Sequence, residues 1–563
     1  MQCYRLRTWF CSGTLLIPKT KRSSRLQRAL ESTVSRPDVA SSGTRRLPLG
    51  RAVLIPAVFA LGAAAPALIP SFRAHAVLFP TFLGAGGFLL AWTAWLYATA
   101  RSEGRTLQLQ ILLKKPHWVQ AGAQAALLLY WGWHVRPVFG NLPFLFGQLL
   151  FAYGLDALLQ WSRRDTYQLG FGPIPIILSI NFFLWFRPEW YYWQFVIIAL
   201  GYAAKEFIQW QKHGRRAHIF NPSSFPLAVF SVVLIVTGTT NATLGLEIAQ
   251  TLFNPPHIFW VIFLVALPAQ ILFRVTTMTI ASVVTAYAWG LIYFSFTGTY
   301  FFRDAFVPIA VFLGMHLLFT DPATSPRTEV GRVIYGVLYA VFTIALASIL
   351  EAVGAPSFYD KLLPIPILNI MVRRIDRAAV AAAVRIPARL LAFDRSLGAA
   401  RHGLAVVALW VVTFLGMTAA GGLGDDHPGQ YLPFWEKACT GGSARACEYV
   451  AVMETNFCDR GSAWACNELG INRAAREGDP AGALRAMRRS CDLGFSSGCA
   501  NVVRIMTGET GLDGAQPRLE DLPIILRGSK GAVEKETPAE LYALACERGW
   551  PNTCGRISDQ GGP

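Results

Sequence analysis

Long apolar runs are the feature that most constrains how this chain can fold. From residue 52 onward they recur with lengths of about 17–22 residues, enough for a helix to cross the hydrocarbon core of a bilayer. Only 15% of the 563 residues are charged, against roughly 25% in soluble domains. We therefore predict an all-α, polytopic membrane protein with about 12–13 spans. The runs lie near residues 52–70, 76–99, 118–135, 142–161, 170–186, 191–209, 223–238, 257–273, 276–295, 305–319, 333–353, 357–372 and 403–421.

The positions of the basic residues predict the orientation in the membrane. The formal charge of +17 comes from Lys and Arg residues in short clusters between apolar runs, whereas loops such as 239–256 contain almost none. Such clusters mark the cytoplasmic side, so the partner of this charge is a lipid bilayer and no nucleic acid is expected. We predict a multi-pass protein of a bacterial-type inner (plasma) membrane, with a cytoplasmic N-terminus and a C-terminus outside.

The segments around the spans follow from the same count. We interpret residues 1–51 as a basic cytoplasmic tail, in which Cys3 and Cys11 are free thiols. Residues 52–99 form an extra transmembrane hairpin, 378–402 a basic cytoplasmic linker, and 403–421 the last transmembrane helix. The run at 357–372 contains Asp360 and Lys361, so a re-entrant or interfacial segment is the alternative there.

Cysteine spacing predicts a separate domain over 431–556. Eight of the ten cysteines follow residue 430 in four pairs that each read C-x2-G-x4-C. A straight helix would hold residues eight apart at about 12 Å, beyond the roughly 7 Å limit for a disulfide, whereas a glycine turn lets them face each other. Zinc is the alternative, but this spacing without paired histidines suits it poorly. The expected disulfides are Cys439–Cys447, Cys458–Cys466, Cys491–Cys499 and Cys546–Cys554.

This fourfold pattern resembles the disulfide-linked α/α repeats of the Sel1-like, cysteine-rich family, within the tetratricopeptide-like superfamily. An insertion near 505–537 separates the last two pairs. Since disulfides persist in oxidising compartments, the domain should be periplasmic or otherwise extracytoplasmic. The cysteines and the loop charges therefore predict the same topology.

Polar residues within spans are the first candidates for function, because they are costly in a bilayer. Asp156 and Glu206 are our candidates for an ion pathway. The alternatives are satisfied helix contacts, snorkelling near a membrane surface, or anchoring at span ends. The other polar residues of this kind are Asn181, Lys205, His134, His316 and Arg274.

Two segments interrupt the apolar sequence with proline and small polar residues. They run over 218–225 (HIFNPSSF) and 316–326 (HLLFTDPATSP). Asn221 and Asp321 each precede a proline, so each can cap a new helix whose free N–H groups attract an anion such as a phosphate. The alternative is an ordinary cytoplasmic loop with a helix cap.

The longer strings HIFNPSSFPLAVF and LLFTDPATSPRTEVGR resemble signature segments of one family of membrane proteins. That family contains RnfD of the Rnf electron-transport complex and NqrB of the sodium-translocating NADH:quinone reductase. The resemblance covers 118–377, where YDKLLPIPILNIMVRRID is similar to the last span of the family. It implies a ten-helix core in two halves, other membrane or extracytoplasmic subunits as partners, and a cofactor-adjacent polar site at Asn221, Asp321, Thr324 and Ser325.

The same resemblance implies a flavin cofactor. Family members carry FMN on a threonine of an S-x-A-T type motif, and the corresponding loop here reads TTNATLG. Thr243 is the candidate for covalent FMN, with Thr240 in place of the serine. Thr237 replaces the acidic residue of the family and Leu244 replaces the proline. A polar loop that merely makes turns is the alternative.

The function expected from this resemblance is flavin-mediated electron flow coupled to Na⁺ or H⁺ translocation within a larger complex. The chain would then be a redox subunit and not an autonomous enzyme, since no nucleophile–base pair, P-loop or metal-binding motif occurs in it. Two alternatives remain open. One is a non-redox transporter or channel on the same scaffold, and the other is a membrane assembly protein that acts through its repeats.

Overall fold

The computed structural model describes residues 39–41, 43–212, 215–383, 388–509, 511–526 and 537–556, without the side chains of 39–41, 212, 215, 382–402, 477 and 551. The predictions for the tail up to residue 38, with Cys3 and Cys11, lie outside these residues. The described chain is mainly helical. Its N-terminal region contains α1 (Leu49–Ala64), α2 (Leu78–Ser102), α3 (Lys115–His134), α4 (Leu142–Arg163), α5 (Pro173–Asn181), α6 (Tyr192–Phe207), α7 (Ser224–Val236), α8 (Gly245–Phe253), α9 (Ile258–Phe273), α10 (Thr276–Thr297), α11 (Ile309–Leu313), α12 (Glu329–Ala352), α13 (Pro364–Ala383) and α14 (Ala388–Ala419).

Five helices in the described residues have the length and apolar character that a membrane span needs. α2, α4, α10 and α12 are long and apolar enough to cross a bilayer, as is α1 with the 3₁₀ turn that extends it to Leu68. α8 and α9 together would make a sixth span, although a 99° bend separates them. The predicted extra hairpin at 52–99 corresponds to α1 and α2.

Other predicted spans are shorter or broken in the structure. The run 170–186 was expected to be one helix, but α5 ends at Asn181. The buried chain beyond it makes backbone contacts with a distant loop, in which the N–H of Arg187 donates to the carbonyl of Ala242. This pairing competes with helical hydrogen bonding. α11 likewise continues as a π-helical turn over Gly314–Leu318.

The all-α prediction missed six short strands. β1 (Val39–Ser41) and β2 (Arg45–Arg46) pair antiparallel with β3 (Gln108–Lys114), which also pairs in parallel with β4 (Thr166–Leu169). β5 (Gln209–Lys212) and β6 (Arg215–His218) form a hairpin next to the first signature segment. These strands connect the ends of helices, and the short alternation LQLQI at 107–111 is the signal that could have revealed β3.

Small residues let the spanning helices pack closely. A Cβ added to Gly336 of α12 would lie 2.3 Å from the carbonyl oxygen of Met278 on α10. One added to Gly86 of α2 would lie 2.7 Å from that of Ala60 on α1. Close backbone approach at glycine is typical of helix packing in membranes.

The C-terminal region consists of short helices joined in pairs. They are α15 (Leu432–Thr440), α16 (Ala444–Asp459), α17 (Ala463–Asn472), α18 (Pro480–Asp492), α19 (Ser496–Thr507), α20 (Leu522–Ile525), α21 (Pro538–Glu547) and α22 (Pro551–Cys554). All four predicted disulfides are confirmed, with Cα–Cα distances of 4.7, 4.6, 4.6 and 4.9 Å in chain order. The predicted glycine turn is also confirmed. Gly461, for example, has φ +100°, a conformation that disfavours other residues.

The repeat region rests on the loop between α10 and α11. The Arg445 guanidinium donates to the Tyr293 hydroxyl and the Phe301 carbonyl, each at 2.7 Å, and lies 3.3 Å from Glu351 at the end of α12. Tyr300 of the same loop belongs to the apolar core of the repeats. The two regions are therefore in direct contact at this point.

Candidate functional site

The two signature segments meet at one place. The His218 Nε2 lies 3.2 Å from the Asp321 Oδ2, across 103 residues of sequence. The Asn221 side-chain amide donates to the Leu318 carbonyl at 2.9 Å. Residues of both segments therefore form one polar centre. We call His218, Asn221, Leu318 and Asp321 the signature cluster.

Asn221 occupies the helix terminus that the sequence predicted. Its side-chain oxygen accepts hydrogen bonds from the N–H groups of Ser223 and Ser224 and from the Ser223 hydroxyl, at 2.8–3.1 Å. Its backbone N–H donates to Asn369 of α13 at 3.0 Å. Because the side chain already satisfies the first N–H groups of α7, the structure favours a helix cap here over a phosphate site.

Asp321 organises the second segment. Its carboxylate accepts hydrogen bonds from the Ala323 N–H and the Thr324 hydroxyl, and the Ser325 hydroxyl donates to its carbonyl at 2.6 Å. Burial by itself would raise the pKa of Asp321, but the hydrogen bond and charge of His218, together with these donors, outweigh it. The pKa therefore lies below its ordinary value. Thr324 and Ser325 thus serve the turn around Asp321.

The two candidates for an ion pathway have basic partners. The Asp156 carboxylate lies 3.3 Å from the Lys205 ammonium and accepts a hydrogen bond from Gln160 at 2.8 Å. Glu206 lies 3.3 Å from Arg163 and 3.0 Å from Arg164. Asp156 is buried, whereas its partner Lys205 is partly exposed at an end of the bundle. The hairpin of β5 and β6 follows directly on α6, and its Gln209–His218 pair links this end of the bundle to the signature cluster.

Thr243 is enclosed by the protein. It is 3% exposed, its hydroxyl donates to the Thr240 carbonyl at 3.0 Å, and the Tyr359 hydroxyl lies 3.5 Å away. An antiparallel bridge to Phe186 fixes its backbone. The hydroxyl of Thr243 therefore points into the protein and not toward a surface from which a transferase could modify it.

A cavity beside this loop allows the fit of a flavin to be tested. Its volume is about 120 Å³, below the roughly 300–1,000 Å³ of small-molecule sites. Gln148, Asn181, Trp185, Tyr191 and Leu244 are among its lining residues. In this conformation the residues around Thr243 do not fit a covalently bound flavin, so we assign no step to one.

Sequence reasoning missed a buried polar stripe on α12. Tyr335, Tyr339 and Thr343 recur every four residues on one face, and all three are buried. The Tyr339 hydroxyl donates to the Lys361 carbonyl at 3.0 Å, and Tyr335 accepts from Asn369 at 3.0 Å. The four-residue spacing within an otherwise apolar helix was the signal that could have revealed it.

Comparison with protein-family models, curated proteins and solved structures gave no match for this chain. Within the described ranges, no group of three or more His, Cys, Asp or Glu residues could hold a metal ion. The fold and the site therefore define a class: a helical protein with membrane-spanning helices, a buried polar centre and an appended disulfide-linked repeat region.

Proposed function

We propose that this chain is an integral membrane subunit of an ion-translocating electron-transport complex, similar in kind to RnfD and NqrB. In this proposal residues 118–377 form the ten-helix, two-half core. The repeats lie outside a bacterial-type inner membrane, and the N-terminus lies in the cytoplasm. Other membrane or extracytoplasmic subunits of the complex are the partners.

One observation carries the proposal: the contact between the two signature segments. The residues that carry the resemblance, Asn221 and Asp321, are brought together through Leu318 and His218, although nothing in their separation along the chain requires it. Two cytoplasmic loops with unrelated caps would need no such contact. The signature cluster is thus a single built site, as expected if both motifs serve one function.

The proposal gives the protein two tasks. A flavin, where one is bound, supplies electron transfer, and the protein's own groups hold charge and orient helices around it. Asp156 and Glu206 are the proposed ion-pathway carboxylates at the end of the bundle, where Lys205, Arg163 and Arg164 balance their charge. The repeats, which we propose to be Sel1-like, would present a binding surface for a partner outside the membrane.

Flavin content of the purified full-length protein tests the redox part. The redox proposal requires a flavin that co-purifies, and because the Thr243 hydroxyl is enclosed we expect denaturation to release it. Intact-mass measurement of wild type beside Thr243→Val and Thr240→Val separates the cases, with Asn241→Ala in the same loop as control. A colourless protein without flavin would contradict the redox proposal, and an adduct lost only in Thr243→Val would show that the loop opens.

A transporter is the second candidate, and broken helices favour it. α5 ends at the buried Asn181, and the chain over 182–186 that follows it is also buried. Discontinuous helices next to buried polar groups are typical of transporter binding sites. Uptake of a labelled solute or ion by flavin-free protein in liposomes would support this candidate.

A role in assembly is the third candidate, because the repeats could recruit other proteins. Deleting 431–563 and recovering co-purifying proteins by affinity capture would test it. Unchanged recovery would contradict a docking role for the repeats.

A further inference from the structure

A charged pair lies inside the membrane region away from the signature cluster. The Lys361 ammonium is 3.4 Å from the Asp360 carboxylate, and each residue is only 3% exposed. The ammonium also lies 4.0 Å from the centre of the Phe358 ring. Ionisable groups are costly in a membrane interior and point to function when they occur there.

The pair lies in a turn at the depth of the middle of α12. It follows a 3₁₀ turn at Ser357–Tyr359 and precedes α13. The Lys361 carbonyl accepts a hydrogen bond from Tyr339, which is ten residues, or about 15 Å, from the start of α12 at Glu329. Snorkelling to either surface is therefore a poor explanation for these charges.

Hydroxyl groups connect this level of the bundle with the signature cluster. Tyr339 lies one turn from Tyr335, whose hydroxyl accepts from the Asn369 side chain. The oxygen of the same Asn369 side chain accepts from the backbone N–H of Asn221 at 3.0 Å. On the other side, the Tyr359 hydroxyl faces Thr243 at 3.5 Å. The hydroxyl groups of Tyr335, Tyr339 and Tyr359 thus lie at successive levels between the cluster and the Thr243 loop.

The chemistry of the pair selects among cations. A metal ion such as Na⁺ would have to displace the Lys361 ammonium, which already occupies the cation position beside the Asp360 carboxylate. A proton needs no coordination shell and binds directly to a carboxylate oxygen. The pair is therefore suited to a proton and unsuited to Na⁺.

We propose that Asp360 is a proton-loading site at the centre of the membrane region, and that the hydroxyl stripe of α12 leads to it from the signature cluster. An arriving proton forms one O–H bond with the Asp360 carboxylate and ends its ion pair with Lys361. Departure of that proton breaks the bond and restores the pair, with no electron exchanged. This inference rests on the proposed ion translocation and names the proton as the coupling ion.

Few other titratable groups face the pair from the packed elements. Tyr339 approaches it from α12 and Tyr359 from its own segment, while α7 contributes no charged residue. Glu247 of α8 acts on Tyr359 and is itself bonded to Arg187. A carboxyl signal from this depth of the bundle can therefore be assigned by substituting Asp360.

Infrared difference spectroscopy of the full-length protein in lipid tests the proposal. Between about pH 5 and 9, where buried carboxyl groups and lysines titrate, we expect a reversible C=O band of a protonated carboxyl group that is lost completely in Asp360→Asn. In Lys361→Met the band should be present over the whole range, because the carboxylate has lost its partner. The exposed Glu189→Gln serves as a matched control and should leave the band unchanged.

The double variant Asp360→Asn/Lys361→Met is the control for misfolding, because it removes both buried charges together and leaves neither unpaired. We expect it to remain folded in thermal unfolding and to show no band. Wild-type spectra identical to those of the folded double variant would overturn the proposal and make the pair purely structural. The measurement does not depend on flavin, so its result is separate from the test of the redox function.

Discussion

The membrane region and the repeat region place polar and apolar residues in opposite ways. In the membrane region, large apolar side chains such as Phe296 and Val236 face outward, while Asn221, Asp360 and Lys361 are buried. In the repeats, apolar residues such as Trp435 form the interior. Both regions contain contacts between residues far apart in sequence, but only the repeats add covalent links, each across eight residues.

The stability of each region has a different origin. The long helices satisfy their own backbone hydrogen bonds and are held together by close packing. The repeat helices, such as the nine-residue α15, are too short to be stable alone and rely on disulfides, caps and a small core. Changes to covalent or local features should therefore affect the repeats most, and changes to distant contacts should affect the membrane region.

Reduction of the disulfides should have the largest effect. Each closes a loop of about nine residues, worth about 2–3 kcal/mol, so removing four approaches the whole stability of a domain. We expect residues 432–507 to lose protection in hydrogen exchange when a reductant is added, while α10 and α12 keep theirs. Equal loss of protection in both regions would show that the disulfides do not stabilise the repeats specifically.

Titration of Glu454 should have the next largest effect. Burial raises the pKa of this carboxyl to about 8, reinforced by Glu468 and Glu436 and opposed by hydrogen bonds from Asn472. Since the folded-state pKa is above the unfolded value, the folded state binds more protons. Its stabilisation is complete below about pH 4.5 and is lost as the pH rises toward 8.

We therefore expect the free energy of unfolding of the repeats to fall by a few kcal/mol across that range. Glu454→Gln should flatten the dependence, and the exposed Glu448→Gln on the same helix should leave it unchanged. Chemical denaturation at several pH values measures it. If Glu454→Gln left the pH dependence of unfolding unchanged, the titration would belong to another group. Glu468 is one such group, because burial raises its pKa to about 7.

Asn221→Ala should destabilise the membrane region by about 1–3 kcal/mol, because it leaves the buried Leu318 carbonyl and the first N–H groups of α7 without their partner. Thermal unfolding in detergent measures the change. Asn221→Asp keeps the cap and loses the amide donor, so an intermediate effect is expected. If the exposed Asn241→Ala destabilised as much as Asn221→Ala, the importance of the distant contact would be refuted.

Gly461→Ala should have the smallest effect of the four, about 1–2 kcal/mol, confined to the repeats. The strain comes from φ +100°, since an added Cβ would meet no atom within 4 Å. Gly511→Ala is a matched control in the same region, because open space surrounds it and its φ is not positive. Similar unfolding midpoints for both variants would show that the turn tolerates a side chain.

Local features explain what the sequence could predict. The cysteine spacing and Gly461 determine the turn within a repeat, and the length and apolar character of α12 identify it as a span without any knowledge of its neighbours. The break after Asn181 could not be predicted, because it depends on the pairing of Phe186 with Thr243, 57 residues away in the sequence. In the same way, the caps at Asn221 and Asp321 were readable from the dipeptides that they form with proline. The contact between the two segments could not be predicted from the sequence in this way.

The spacing of the cysteines has a consequence for how the protein matures. Every disulfide joins a cysteine to the next one along the chain, eight residues later. Eight cysteines allow on the order of a hundred pairings, yet a chain that emerges from its N-terminal side can oxidise each sulfur with the first partner to follow it. Oxidative folding can thus proceed pair by pair from the N-terminal side of this region, with no need for an isomerase to correct long-range mispairing.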